Sequence, residues 1–133
     1  MRKILFRGKE VGTGEWVYGY YVHFDGGILR EGESVRLHDY IFIPGGLSLY
    51  ASVIPNTVGQ FTGMKDKKGN PIYEGDIVLK RTYNGKNPFR VTFGGGMFHC
   101  GFGGGSSTAT HRYTLDDRYI EVIGNVFDNP ELL

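Results

Sequence analysis

Carboxylates two residues apart on an extended strand face the same way, and Glu74 and Asp76 have that spacing. Such a pair can do acid–base work or hold a metal ion. Asp76 also follows Gly75 just ahead of the apolar run Ile77-Val78-Leu79. An Asp so placed is expected to cap a turn through backbone N–H groups. Asp116 and Asp117 are adjacent and read as a solvated turn. A thiol–imidazole pair would need Cys100 with His111 or His38. Cys100, however, lies in the apolar run Met97-Phe98-His99-Cys100 and reads as a small buried hydrophobe. Ser106 and Ser107 sit in a loose Gly-rich stretch, and no GxSxG elbow exists to fix a nucleophile. His23, His38, His99 and His111 show neither HxxxH spacing nor a CxxC partner. Glycines 94–96 and 103–105 flank one strand, but no GxxxxGK[ST] follows and no helix begins there, so they read as turns. These residues assign no catalytic site, no metal site and no cofactor, and the chain is expected not to be an enzyme.

Binding chemistry is better represented. Residues 65–90 contain seven basic and three acidic side chains, giving +4. Lys65, Lys67, Lys68, Lys80, Arg81, Lys86 and Arg90 are interleaved with Tyr73, Tyr83 and Phe89. Small β-barrels bind oligonucleotides with exposed aromatics beside a basic groove, so a nucleic-acid contact through Lys65, Lys67, Lys68, Tyr73, Lys80, Arg81, Lys86 and Arg90 is one expectation. The other basic block is residues 1–9, also +4, while 10–64 and 113–133 each sum to −4. Such blocks can complement one another within a molecule or between subunits.

The elements that must position these groups are strands. Residues 3–7 read as a short strand and 8–14 as a turn. Residues 15–23 form a β-rich run in which Trp16, Tyr18, Tyr20 and Val22 share one face. Asp25-Gly26-Gly27 reads as a hairpin turn, with 28–30 returning. Residues 35–43 are a strand ended by Pro44-Gly45-Gly46, and 47–54 are a strand or one helical turn. Then come a strand at 57–62, a charged turn at 65–70, a Gly-Asp turn leading into a strand ending at Lys80, a loop at 84–88, and strands at 89–93 and 97–102. Residues 103–110 form a flexible tip of small side chains. Strands at 113–115 and 119–127 follow, then a terminal turn begun by Pro130. No segment holds a 3.6-residue period over 10–15 residues, so little helix is expected. Short strands between Gly-rich turns point to a barrel or sandwich.

Composition agrees. The 133 residues include 22 Gly, nine Tyr, nine Phe and one Trp. Aromatics favour strands and Gly favours turns. A net charge of +1 argues against a general polyanion binder, and 22% charged residues exclude a highly charged disordered chain. One cysteine excludes an internal disulfide and fits a reducing cytoplasm. The basic N-terminus is followed by only Ile4-Leu5-Phe6, far short of the roughly 7–15 apolar residues of a signal peptide. No stretch approaches the ~20 of a membrane span. The chain is expected in the cytoplasm.

Three segments, in order, resemble the YopX family of small proteins from bacteriophages and prophages of Gram-positive bacteria. The first is residues 6–9 with 14–20, Phe-Arg-Gly-Lys and Gly-Glu-Trp-Val-Tyr-Gly-Tyr. The second and most specific is 53–78, including Gly69-Asn70-Pro71-Ile72-Tyr73-Glu74-Gly75-Asp76. The third is 121–132, beginning Glu121-Val122-Ile123-Gly124-Asn125. Residues 24–52 and 81–118 show no strong match. The resemblance implies a small, mostly β phage protein and supplies no catalytic residue. The architecture expected is a single unit over 1–133, in which an N-terminal β region (1–54) packs on a small SH3-like β-barrel (55–133) closed by strand 119–127. Aromatics at 14% exceed what such a core readily hides. The function expected is therefore that of a non-catalytic accessory protein acting through protein–protein contacts, as a homo-oligomer or on a host or phage protein. Nucleic-acid binding is the alternative.

Overall fold

A computed structural model describes residues 1–24, 28–30, 33–34, 38–45, 50–101, 112–116 and 118–133. For 28–30, 33–34 and Arg112 it describes the backbone only. The expected turn at Asp25-Gly26-Gly27, residues 35–37 and 47–49, the tip at 103–110, His111 and Asp117 lie outside the described residues. The chain forms two compact units, Met1–Gln60 and Phe61–Leu133.

In the first unit, β1 is Phe6–Lys9, β2 Trp16–His23, β5 Asp39–Phe42 and β6 Tyr50–Ser52. They lie antiparallel in the order β6-β5-β2-β1, and Gly59 and Gln60, which open β7 (Gly59–Lys65), pair with β1. Between β2 and β5, β3 (Ile28–Arg30) and β4 (Glu33–Ser34) pair with each other. The expectation that 28–30 returns along β2 is therefore corrected, because β5 takes that partner position with Tyr20 opposite Phe42 and His23 opposite Asp39. β1 also starts later than expected, at Phe6, and takes in Gly8 and Lys9. Gly8 fits a strand because its bare backbone lies against Val53, whose Cβ is 3.1 Å from where a side chain would begin. Alternation divides the sheet. Gly8, Gly19, Ile41, Ala51 and Val53 line one side and are buried. Tyr18, Tyr20, Phe42 and Tyr50 line the other. Pro55 opens a 3-10 turn, Pro55–Thr57, where the Thr57 hydroxyl accepts from the Lys9 N–H at 2.8 Å.

In the second unit, the rest of β7 pairs with β8 (Pro71–Tyr73). β9 (Asp76–Thr82), β10 (Gly85–Gly94), β11 (Met97–Gly101), β12 (Arg112–Tyr113) and β13 (Ile120–Asn125) form an antiparallel sheet in the order β12-β11-β10-β9-β13. Its core joins Ile72, Val78, Phe89, Val91, Cys100, Leu115 and Ile120. Pro130 begins a closing 3-10 turn, as the sequence indicates. The protein is mainly β with little helix, as expected. It is not a closed barrel: β13 pairs only with β9, and β12 only with β11, leaving two edges among the described strands. Residues 84–88 are not a loop either. Gly85, at φ 100°, turns the chain, and β10 pairs with β9 from Gly85 onward. Burial of Phe89 and Val91 fixes the strand, and the ladder accommodates Pro88 opposite Leu79.

Candidate interaction surfaces

Cross-strand register builds the first surface. Tyr20 lies opposite Phe42, and Phe42 opposite Tyr50, so one row of rings crosses β2, β5 and β6. Tyr18, Tyr20, Phe42 and Tyr50 are 48%, 55%, 41% and 58% exposed. The rings support one another. Centroids of Phe42 and Tyr50 are 5.9 Å apart, those of Tyr40 and Tyr50 5.8 Å, and those of Phe24 and Tyr40 5.7 Å. Nearer β1, the Arg7 guanidinium lies 4.5 Å from the Trp16 ring centre. A contiguous aromatic patch left in water is a contact surface in waiting. A groove of about 660 Å³, lined by Met1, Ile4, Phe6, Tyr20, Tyr21 and Pro44 among others, adjoins the row at Tyr20.

Behind the row, on the buried side of the same sheet, is a polar cluster that the sequence did not reveal. The Tyr21 hydroxyl donates to the Asp39 carboxylate, and His23 Nδ1 lies 2.9 Å from Asp39 Oδ1. Burial, then the hydrogen bond and charge of Asp39, push the Tyr21 pKa up to about 12. Burial alone would raise that of Asp39. The hydrogen bonds from Tyr21 and His23 outweigh it and hold the carboxyl below its usual range. Residues 21, 23 and 39 meet only through the β2–β5 register. An Asp–His pair can position an imidazole for proton transfer. Here Asp39 is buried and is the hydrogen-bond centre of a strand pair.

The eight residues expected to contact nucleic acid separate into two groups. Lys67 Nζ is 3.4 Å, and Lys68 Nζ 2.6 Å, from the Glu121 carboxylate on β13. The hydrogen bond to Lys68 is the main reason the Glu121 carboxyl is held below its usual range. Lys65 ends β7, exposed. Tyr73 is buried with its ring 5.5 Å from that of Phe61, so it is a core residue and presents no stacking face to solvent. Lys80, Arg81, Lys86 and Arg90 lie on β9 and β10. Lys80 Nζ is 3.5 Å from the Thr114 carbonyl and 6.0 Å from the Tyr113 ring centre. Arg81 lies directly opposite Lys86, both exposed. Arg90 is half-buried between Ile77 and Gly101. A sequence signal marks this second group: no Asp or Glu occurs between Asp76 and Asp116.

Glu74 is half-buried in the turn between β8 and β9. Asp76 Oδ2 accepts from the Tyr73 N–H at 2.8 Å, capping the turn through Gly75 at φ 87°. Cys100 is fully buried, and burial pushes its thiol pKa up. His99 points to the opposite face, with Nδ1 3.0 Å from the Thr92 hydroxyl. Asp116 binds Arg118 at 3.2 Å. Ser106 and Ser107 lie outside the described residues. Among the described residues no three His, Cys, Asp or Glu side chains come together as a metal site would require. Nor is any helix among them long and apolar enough to cross a membrane.

The fold is similar to the crystal structure of protein EF1440 from Enterococcus faecalis, with a TM-score of 0.56 and 23% identity over 100% of this chain and 99% of that one. No curated protein matches the sequence. The family model described as YopX protein matches residues 5–133, which takes in all three segments that carried the resemblance. On that near-complete match, the chain belongs to the YopX family.

Proposed function

We propose that this chain is a non-catalytic accessory protein, encoded by a phage or prophage and working in the cytoplasm, that acts through protein–protein contact and first of all with a second copy of itself. The observation that carries the reading is the in-register row Tyr20–Phe42–Tyr50 with Tyr18 beside it, exposed and uncharged. Tyrosine and phenylalanine are the residues that enrich the buried centre of protein interfaces, where charges are depleted. A net charge of +1 leaves little long-range repulsion between two copies. Three groups that could do chemistry have structural work: Asp76 caps a turn, Cys100 fills a core, and Asp39 ties β2 to β5.

The test is light scattering on a size-exclusion column, at low salt and at about 0.5 M salt. The row contains no charge, so the dimer is expected to persist at high salt. Tyr20→Lys combined with Tyr50→Lys is expected to give a folded monomer. A wild-type chain that is monomeric at high micromolar concentration would sink the reading.

A further inference from the structure

We propose that the tip of the β9–β10 hairpin binds single-stranded nucleic acid, with Tyr83 as the stacking ring and Arg81 and Lys86 as the phosphate contacts. Three independent observations converge there. The first is register. Arg81 and Lys86 face each other directly across the ladder, one pair from the turn, and both are exposed. Like charges in that relation repel and weaken the hairpin that holds them. An anion lying between them turns the repulsion into a shared contact. The second is a long stretch of sequence without acidic side chains. From residue 77 to 115 there is no acidic side chain, while Lys80, Arg81, Lys86, Arg90 and Arg112 are basic. Lys67 and Lys68, in contrast, are held by Glu121.

The third observation is Tyr83. It is 103% exposed at the turn. The other exposed rings described in this unit are engaged: Phe93 packs on Phe98 at 4.9 Å, and Tyr119 lies under the Arg118 guanidinium. Tyr83 makes no ring contact within the described chain. Its turn is nevertheless firmly built. The Thr82 hydroxyl donates to the Gly85 carbonyl at 3.1 Å, and the Asn87 amide donates to the Thr82 hydroxyl at 3.0 Å. A built turn that presents one bare ring, one ladder pair from two facing cations, lowers the ordering cost of binding. A nucleotide offers a base whose π-face meets the ring and a phosphate that meets the cations, a combination poly-glutamate lacks. The tip Tyr83-Asn84-Gly85 has no aliphatic wedge of the kind that enters a lipid surface.

Fluorescence anisotropy with a labelled twelve-residue oligo-dT, titrated with the full chain from about 50 to 200 mM salt, tests this. Oligo-dT is expected to bind, with affinity falling as salt rises. Tyr83→Ala is expected to weaken binding about tenfold with the salt slope unchanged. Arg81→Gln with Lys86→Gln is expected to reduce the slope of log K against log salt by about 1.4, at about 0.7 per phosphate contact. The far-ultraviolet circular dichroism of each variant should match wild type, since all three side chains are exposed. The Tyr20→Lys, Tyr50→Lys chain should still bind, which separates this proposal from the dimer. No binding at 50 mM salt would overturn it. So would equal affinity for poly-glutamate, which would reduce the site to plain charge attraction, or a Tyr83→Ala chain that binds like wild type.

Discussion

Asp66 shows how one carboxylate can organise residues far apart in the chain. It is buried, and its oxygens accept from the N–H groups of Lys68 at 2.9 Å, Asn70 at 2.8 Å and Val122 at 2.9 Å. Two of those bonds shape the 65–70 turn, and the third ties that turn to β13. Burial alone would raise the Asp66 pKa. The bonds from Val122, Asn70 and Lys68 prevail and hold it below the usual value. The sign of the pH effect follows. An unfolded Asp titrates near 3.9. The folded group titrates lower, so its contribution is fully present above about pH 5 and is lost as pH falls towards the folded pKa. Asp66→Ala is expected to lower stability by about 2–4 kcal/mol at pH 7, because charged hydrogen bonds are lost and the partly buried Val122 N–H is left bare. The same variant should flatten the acid side of the stability curve, measured by urea unfolding from pH 7 down to pH 3. If wild type and variant lose stability in parallel across that range, the carboxylate is not the linked group.

At the scale of the element, the sheet of the first unit depends on Gly19. A Cβ there would lie 1.9 Å from the Phe42 carbonyl oxygen, which is backbone and has little room to move. Gly19→Ala is expected to cost about 3–4 kcal/mol or more by forcing β2 from β5. Gly12, at φ 98° with open space around it, is the control. Gly12→Ala should cost about 1 kcal/mol, for backbone strain alone. Trp16, the chain's one tryptophan, sits on β2 and reports both by its fluorescence in denaturant. Similar losses at the two positions would remove the steric argument. The same strand marks what the sequence could disclose. The alternation of Trp16, Tyr18, Tyr20 and Val22 placed β2 and its ring-bearing face correctly, because parity is a local property. It could not say which strand lies beside β2. The neighbour is β5 rather than 28–30, and with that register came the Tyr21–Asp39–His23 cluster. Tyr73 looked available for stacking for the same reason, its burial against Phe61 being a tertiary fact. Asn84-Gly85 followed by Pro88 resembled a loop by composition, yet Phe89 and Val91 belong to the core and draw the strand back to Gly85. Lys67 and Lys68 looked free because Glu121, which binds them, lies more than fifty residues away.

For the whole molecule, the question is whether its two compact units have equal means of standing alone. The second unit is well supplied. All seven buried residues of its main cluster, from Ile72 to Ile120, fall within Phe61–Leu133, with Phe98, Tyr113 and Val122 packed against them. Its polar fasteners are internal as well: Asp66 to Val122, Asp76 to Tyr73, and Lys68 to Glu121. The break also falls within a strand. Gly59 and Gln60 pair with β1, while Phe61 and Lys65 of the same strand pair with β8. A cut at 60/61 therefore removes the β1 pairing and leaves the β8 pairing whole. Seventy-odd residues is near the lower limit for one hydrophobic core without a staple, so the expected stability is small. A chain of residues 61–133 is expected to fold, with dispersed amide resonances and a cooperative urea transition of a few kcal/mol. Asp66→Ala in that fragment should abolish the fold, because its loss is comparable to the whole stability available. A fragment that collapses without resonance dispersion would show that residues 1–60 supply something this core lacks. A fragment that folds and tolerates Asp66→Ala would instead move the source of stability from the Asp66 turn to the apolar cluster.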